Sequence, residues 1–131
     1  MTPSPRTIPA WRNGLGRALM GLAAVGAVFA AGGGLGALAH ASPQTSWLEA
    51  WRALGFVMFA GMFALLALRP RRSPGLWELA FFHKAALAVT ALFVRSAEAR
   101  AAGPTDGVLA LLLLAAYLLT AGWRGWRRKH S

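Results

Sequence analysis

Three ionisable residues, Glu78, His83 and Lys84, lie inside an otherwise apolar stretch over 76–94. Ionisable groups in such a run are costly enough to bury that they call for an explanation. Counting about 1.5 Å of rise per residue puts His83 and Lys84 roughly 15 Å from the far end of that helix. A charged lysine in the middle of a bilayer costs at least about 2.5–3.5 kcal/mol. Three outcomes answer that cost. The stem snorkels to a basic interface, the amine turns inward to an acceptor, or desolvation holds it uncharged. The Tyr117 hydroxyl, counted to a similar level as Phe29 and Met58, is the expected acceptor. Trp77 and Phe81 share the Lys84 face of the helix and predict an aromatic-sided pocket. His83 shares its own face with Leu76, Leu79 and Thr90 and reads as a hydrogen-bonded core residue. The candidate ligand-binding set is therefore Lys84, His83, Tyr117, Trp77, Phe81 and Met58, with a structural role or ligand and proton handling both open. Glu78 sits near the helix start, level with Trp123 and Arg124. It is expected to pair with Arg124 or with the arginines of the 69–72 turn.

No catalytic set accompanies these residues. There is no HExxH, no Ser with a His and an acid at one level, no paired carboxylates and no phosphate-cradling loop. Asp106 and Glu98 read as loop acids at the outer surface, with Ser96 and Thr105 as turn residues. The absence of cysteine excludes a disulfide scaffold, a thiolate zinc site and a cysteine nucleophile. Met58 and Met62 stand four apart, a spacing that reads as packing rather than thioether ligation. His40, His83 and His130 fall at three depths and cannot give two axial ligands to one haem. No cofactor and no metal are expected, and the chain is read as no enzyme.

The elements that must position these residues follow from composition. The chain has 131 residues, 56% hydrophobic and 14% charged, with a formal charge of +10. Its charges sit between long apolar runs, which excludes a basic nucleic-acid patch and excludes disorder. Four runs are long enough to cross a hydrocarbon core, at about 18–39, 47–68, 76–94 and 107–123. The breaks between them carry Pro43, Pro70, Pro74 and Gly103-Pro104. Continuous apolar runs without alternation select helices over barrel strands. The reading is one all-α membrane domain over 1–131, a bundle of four transmembrane helices. A disordered tail over 1–10 holds Pro3, Pro5 and Pro9, and a basic tail covers 124–131.

Lysine and arginine counts set the orientation. Arg6, Arg12, Arg17, Arg69, Arg71, Arg72, Arg124, Arg127, Arg128 and Lys129 lie on one side, with Glu78 the one acid near them. On the other side Arg52, Arg95 and Arg100 are offset by Glu49, Glu98 and Asp106. Both termini are therefore expected in the cytoplasm. Trp47 and Trp51 at one interface, and Trp11, Trp77, Trp123 and Trp126 at the other, form the expected aromatic belts. A competing reading takes the first run and Ala39-His40-Ala41 as a cleavable signal, but that run exceeds the usual signal core.

The first run is rich in Gly21, Gly26, Ala30, Gly33 and Gly34, and Gly32 with Gly36 adds a GxxxG spacing; Gly55 and Gly61 continue it less regularly. These predict close packing inside one bundle, with a dimerisation face as the alternative. Leu111 to Leu114, Leu118 and Leu119 predict a fourth span with substantial lipid exposure. No internal repeat supports an inverted-repeat transporter. In size and span count the chain resembles small four-span families such as the DoxX-like proteins and the small multidrug transporters. The latter family binds cations through an acid in its first span; the run over 18–39 has none, so the resemblance implies architecture and not that activity. The expected function is a non-catalytic protein of the inner (cell) membrane, an accessory subunit or a binder of a lipid-soluble or anionic ligand. The alternative is a small oligomeric transporter or channel with Lys84 lining the path. Expected partners are the lipid bilayer and a membrane-protein partner or a second copy, with no nucleic acid.

Overall fold

The computed structural model describes residues 7–127 and is entirely helical. Its elements are α1 (Ala10–Ala39), α2 (Ser46–Leu68), α3 (Leu76–Phe93), α4 (Ala97–Thr120) and a short 3₁₀ helix (Gly122–Arg127). Each of α1 to α4 is long and apolar enough to cross a membrane. The expected tail residues Pro3 and Pro5, and Arg6, Arg128, Lys129 and His130, lie outside the described residues.

Two ends of the bundle can be distinguished. The termini end carries the start of α1, the 69–75 turn and the 3₁₀ helix. The distal end carries the 40–45 and 94–96 turns. α1 starts at Ala10, well ahead of the apolar run, because Pro9 (φ −52°) sets the first turn and its carbonyl accepts from the Arg12 and Asn13 amides. At the other turn Gly75 stands at φ +91°, a conformation that favours glycine, and lets α3 begin directly after the 69–75 turn.

The largest departure from the sequence reading is α4. The segment read as a loop up to Asp106 is helical from Ala97 onward. Ser96 caps it, its Oγ accepting from the Ala99 amide at 3.1 Å. The alanines at 97, 99, 101 and 102 supply high helix propensity. Pro104 sits inside the helix and costs one backbone bond, a cost that packed neighbours offset in membrane helices.

Packing divides the bundle into two hairpins, α1–α2 and α3–α4. In the first, Gly34 lies so close to Ala53 that a Cβ would stand 3.1 Å from the Ala53 Cα. In the second, Gly103 seats against Ala91, where a Cβ would approach the Ala91 methyl to 2.6 Å. The hairpins join at the termini end through α1 and α4, with Gly16 against Thr120. There Met20, Phe59, Phe63, Leu66, Trp77, Ala80, Leu113 and Ala116 form a continuous core. The backbones of α2 and α3, by contrast, approach closely at few points. The small residues of α1 do less than expected: a Cβ on Gly21, Gly26, Gly32, Gly33 or Gly36 would meet nothing within 4 Å. The same is true of Gly55 and Gly61 in α2. Close packing through glycine is confined to a few contact points.

The outer surface is apolar. Phe29, Phe82, Leu92, Phe93 and Leu111 are largely exposed, as side chains in contact with lipid would be. Trp47 and Trp51 are exposed at the distal end, and Trp11 and Trp126 at the termini end. Trp77 departs from the expected belt. It is only 2% exposed and belongs to the core, its Nε1 donating to the Pro70 carbonyl at 2.7 Å.

Candidate functional site

Lys84 is buried, 5% exposed, and its Nζ lies 3.3 Å from Asp106 Oδ1. The ammonium also stands over the Phe59 ring of α2, 4.1 Å from its centroid. The His83 ring packs against the other partner of that contact, 4.7 Å from the Phe59 centroid at 38°. Three helices thus converge on one point midway along the bundle. Asp106 reaches it only because α4 starts at Ala97. Nine residues past Ala97 at the distal turn, it comes level with Lys84, nine residues before Phe93 at the same turn, because α3 and α4 run antiparallel.

This geometry replaces the expected Lys84–Tyr117 contact. Counting α4 from 107 carried Tyr117 to mid-bundle, whereas the helix ends at Thr120 and leaves Tyr117 one turn from the termini end. There its hydroxyl donates to Glu78 Oε1 at 3.0 Å, and Trp126 Nε1 donates to the same oxygen at 3.1 Å. The Tyr117 ring packs between Trp77 and Trp123. Glu78 is therefore held by a phenol and an indole, partners that the sequence did not point to. Trp77 lies in the core, Phe81 is part-exposed, and the aromatic ring at Lys84 is Phe59. His83 is exposed beside Phe59 rather than buried in the core. Met58, 58% exposed, lines the same cavity as His83 and Lys84. Of the six candidates, the structure brings together Lys84, His83 and Met58.

That cavity, about 490 Å³, lies among α2, α3 and α4, with the exposed Met58, His83 and Leu87 in its wall. Its walls include Trp51, Phe59, Leu87 and Thr90, and the Lys84–Asp106 pair forms its floor. A second cavity of about 430 Å³ lies on the α1 side, lined by Gly26, Ala30, Phe56 and Thr105, and the same pair borders it. The two share Phe56, Lys84, Ala102 and Asp106 in their walls and together make up the cleft between the hairpins. At the distal mouth Arg52 of α2 reaches Glu98 of α4 at 3.1 Å and Glu49 at 3.5 Å. Cations and carboxylates therefore alternate from mouth to floor.

A buried ion pair gains Coulomb energy but loses the hydration of both ions, so its net contribution is small while breaking it is costly. Removing either charge leaves the other stranded. The pair fixes Lys84 as an inward, compensated cation, the second of the three outcomes open to it, with Asp106 in place of Tyr117. Among the described residues no three His, Asp or Glu side chains come together to hold a metal ion.

Sequence reasoning missed Asp106, Phe59 and the Arg52–Glu98 bridge. Ser96 ahead of an alanine-rich run, with Glu98, Ala102 and Asp106 at helical spacing, was the available signal. It also missed the work of the basic residues at the termini end. Arg12 donates to the Leu118 carbonyl at 2.8 Å, Arg17 to Ala67 at 2.6 Å and Arg71 to Thr120 at 2.8 Å. These arginines satisfy carbonyls at the C-terminal ends of α2 and α4.

The class this fold defines is an all-helical bundle with four helices able to cross a membrane. No family model, curated protein or solved structure matches the chain.

Proposed function

We propose that the protein is a non-catalytic, multi-pass cell-membrane protein that receives a lipid-soluble ligand sideways into the cleft between its hairpins. The observation that carries this reading is the Lys84–Asp106 pair at the floor of an apolar-walled cavity between two helices whose backbones approach at few points. A cavity of a few hundred Å³ with few polar groups is the usual form of a small-molecule site. The packed layer of Phe63, Leu66, Trp77 and Ala116 beneath the pair favours a blind cleft over a continuous transport path. Service as an accessory subunit of a larger membrane assembly is compatible with the same cleft. The orientation with both termini in the cytoplasm draws on Arg12, Arg17, Arg69, Arg71, Arg72, Arg124 and Arg127 at the termini end.

The test is to fill the cleft. Gly55 lines it, and a Cβ there would meet nothing within 4 Å, so Gly55→Phe adds a ring without a backbone clash. Native mass spectrometry of the protein in lipid nanodiscs should show a small apolar adduct on the wild type and none on Gly55→Phe. A wild type with no adduct, or an adduct retained by the variant, overturns the reading.

A further inference from the structure

We infer that the cleft selects a neutral, ring-bearing amphiphile whose carbonyl-type oxygen accepts a hydrogen bond from Lys84, and that it rejects anions. This rests on the ligand-binding reading above and names the chemical class. The first argument is charge. The ionised side chains lining the α2–α3 cavity are Arg52, Glu98, Lys84 and Asp106, two of each sign. Each cation already has a carboxylate, at 3.1 Å for Arg52 and 3.3 Å for Lys84. An anionic ligand would have to displace Asp106 and strand a buried carboxylate. A cationic one would have to displace Lys84. A neutral ligand leaves both pairs intact.

The second argument is donor capacity. An ammonium carries three N–H groups and no acceptor. One is committed to Asp106, and the face of Phe59 lies 4.1 Å from the nitrogen. One remains for an acceptor in the cleft. His83, exposed in the same cavity, offers a second polar contact beside it.

The third is shape. The tilted Phe59 and His83 rings, with Trp51 at the rim, present aromatic surfaces on which a planar head stacks or packs edge-on. A volume near 490 Å³ holds one substituted ring and the start of a tail. The tail leaves between α2 and α3, past the exposed Met58 and Leu87. The anionic ligand expected from an uncompensated Lys84 loses its basis once Asp106 is in place.

The experiment measures binding to the full chain in zwitterionic nanodiscs by quenching of Trp51 fluorescence, with Trp51→Phe as the blank. The probes are decyl-benzoquinone, and laurate and decylbenzene as its competitors. Decyl-benzoquinone should bind saturably, and laurate and decylbenzene should compete at least tenfold more weakly. Lys84→Met should weaken quinone binding at least tenfold. Because that variant strands Asp106, Lys84→Met/Asp106→Leu is the second test; it removes both charges and should lose binding to the same extent while folding. Laurate or decylbenzene competing as well as the quinone, or a double variant that binds it unchanged, overturns the class and leaves the cleft reading standing. If none of the three probes binds, or if Gly55→Phe binds them as the wild type does, the cleft reading and this inference fall together.

Discussion

Lys84 Nζ and Asp106 Oδ1 meet at 3.3 Å across the α3–α4 interface, 22 residues apart in sequence and midway along both helices. Read alone, Lys84 is a desolvated charge that a methionine would replace without loss. Paired, it is one half of a unit whose partner depends on it. Asp106→Asn should therefore destabilise the protein by about 3–5 kcal/mol, and Lys84→Met by a similar amount. Lys84→Met/Asp106→Leu, which removes both ions, should lie within about 1 kcal/mol of the wild type or above it. Thermal unfolding in detergent measures all three. Single variants as stable as the wild type would show that the pair is not formed.

A second polar anchor lies at the termini end, where Glu78 Oε1 accepts from Tyr117 and Trp126. Glu78→Gln keeps a carbonyl oxygen at that position and should cost about 1 kcal/mol or less. Glu78→Leu removes the acceptor from both donors and should cost about 1–3 kcal/mol. Equal losses for the two variants would mean that the charge of Glu78, rather than its acceptor oxygen, holds the cluster.

The basic residues at this end divide by what they touch. Arg71 donates to Asn13 Oδ1 at 2.7 Å and to the Thr120 carbonyl at 2.8 Å, tying the turn to α1 and α4. Arg72 beside it is exposed. Arg71→Ala should cost about 1–3 kcal/mol and Arg72→Ala about 0.5 kcal/mol or less. Comparable melting shifts for the two would reduce Arg71 to a charge marker.

Orientation can be read by thiol labelling because the chain has no cysteine of its own. Gln44→Cys in the distal turn should react with a membrane-impermeant maleimide in intact cells, and Thr7→Cys should react only after lysis. Both residues are exposed. The inverse pattern would reverse the proposed topology. A reporter inserted near Gly103, in the break the sequence shows before the fourth run, would instead split the α4 contact with Ala91.

How far the sequence could be read depends on how strongly local signals agreed. Pro43, Pro70 and Pro74 bracket α2 and mark the approach to α3, and the apolar runs between them coincide with the helices. At α4 two signals conflicted. Gly103-Pro104 with nearby charges reads as a loop, while Ser96 and the alanines read as a helix start. The helix prevails because Gly103 fits against Ala91, a long-range contact that no local pattern reveals. That single boundary displaced two side chains. It carried Tyr117 to the level of Lys84 and left Asp106 in a loop outside the fourth span, so the correct lysine was given the wrong acceptor. Phe59 was illegible for a related reason: its place over Lys84 depends on the angle between the hairpins.

The bridge between Arg52 and Glu98 spans the distal mouth of the cleft, from α2 to α4. Both side chains are well exposed, at 43% and 74%, so the pair contributes about 1 kcal/mol or less to stability and is screened by salt. Its effect should appear in access rather than in folding. Ala102 lies on α4 between Glu98 and Asp106 and lines the α2–α3 cavity. In an Ala102→Cys background, a small water-soluble thiol reagent should react several-fold faster when Arg52→Gln is added. Raising the salt from low to molar concentration should produce the same acceleration with Arg52 intact, and little further change in the Arg52→Gln protein. The melting temperature should stay nearly constant throughout. A labelling rate indifferent to both salt and Arg52 would mean that the bridge does not control the mouth, and that the hairpins are held apart by the core beneath them alone.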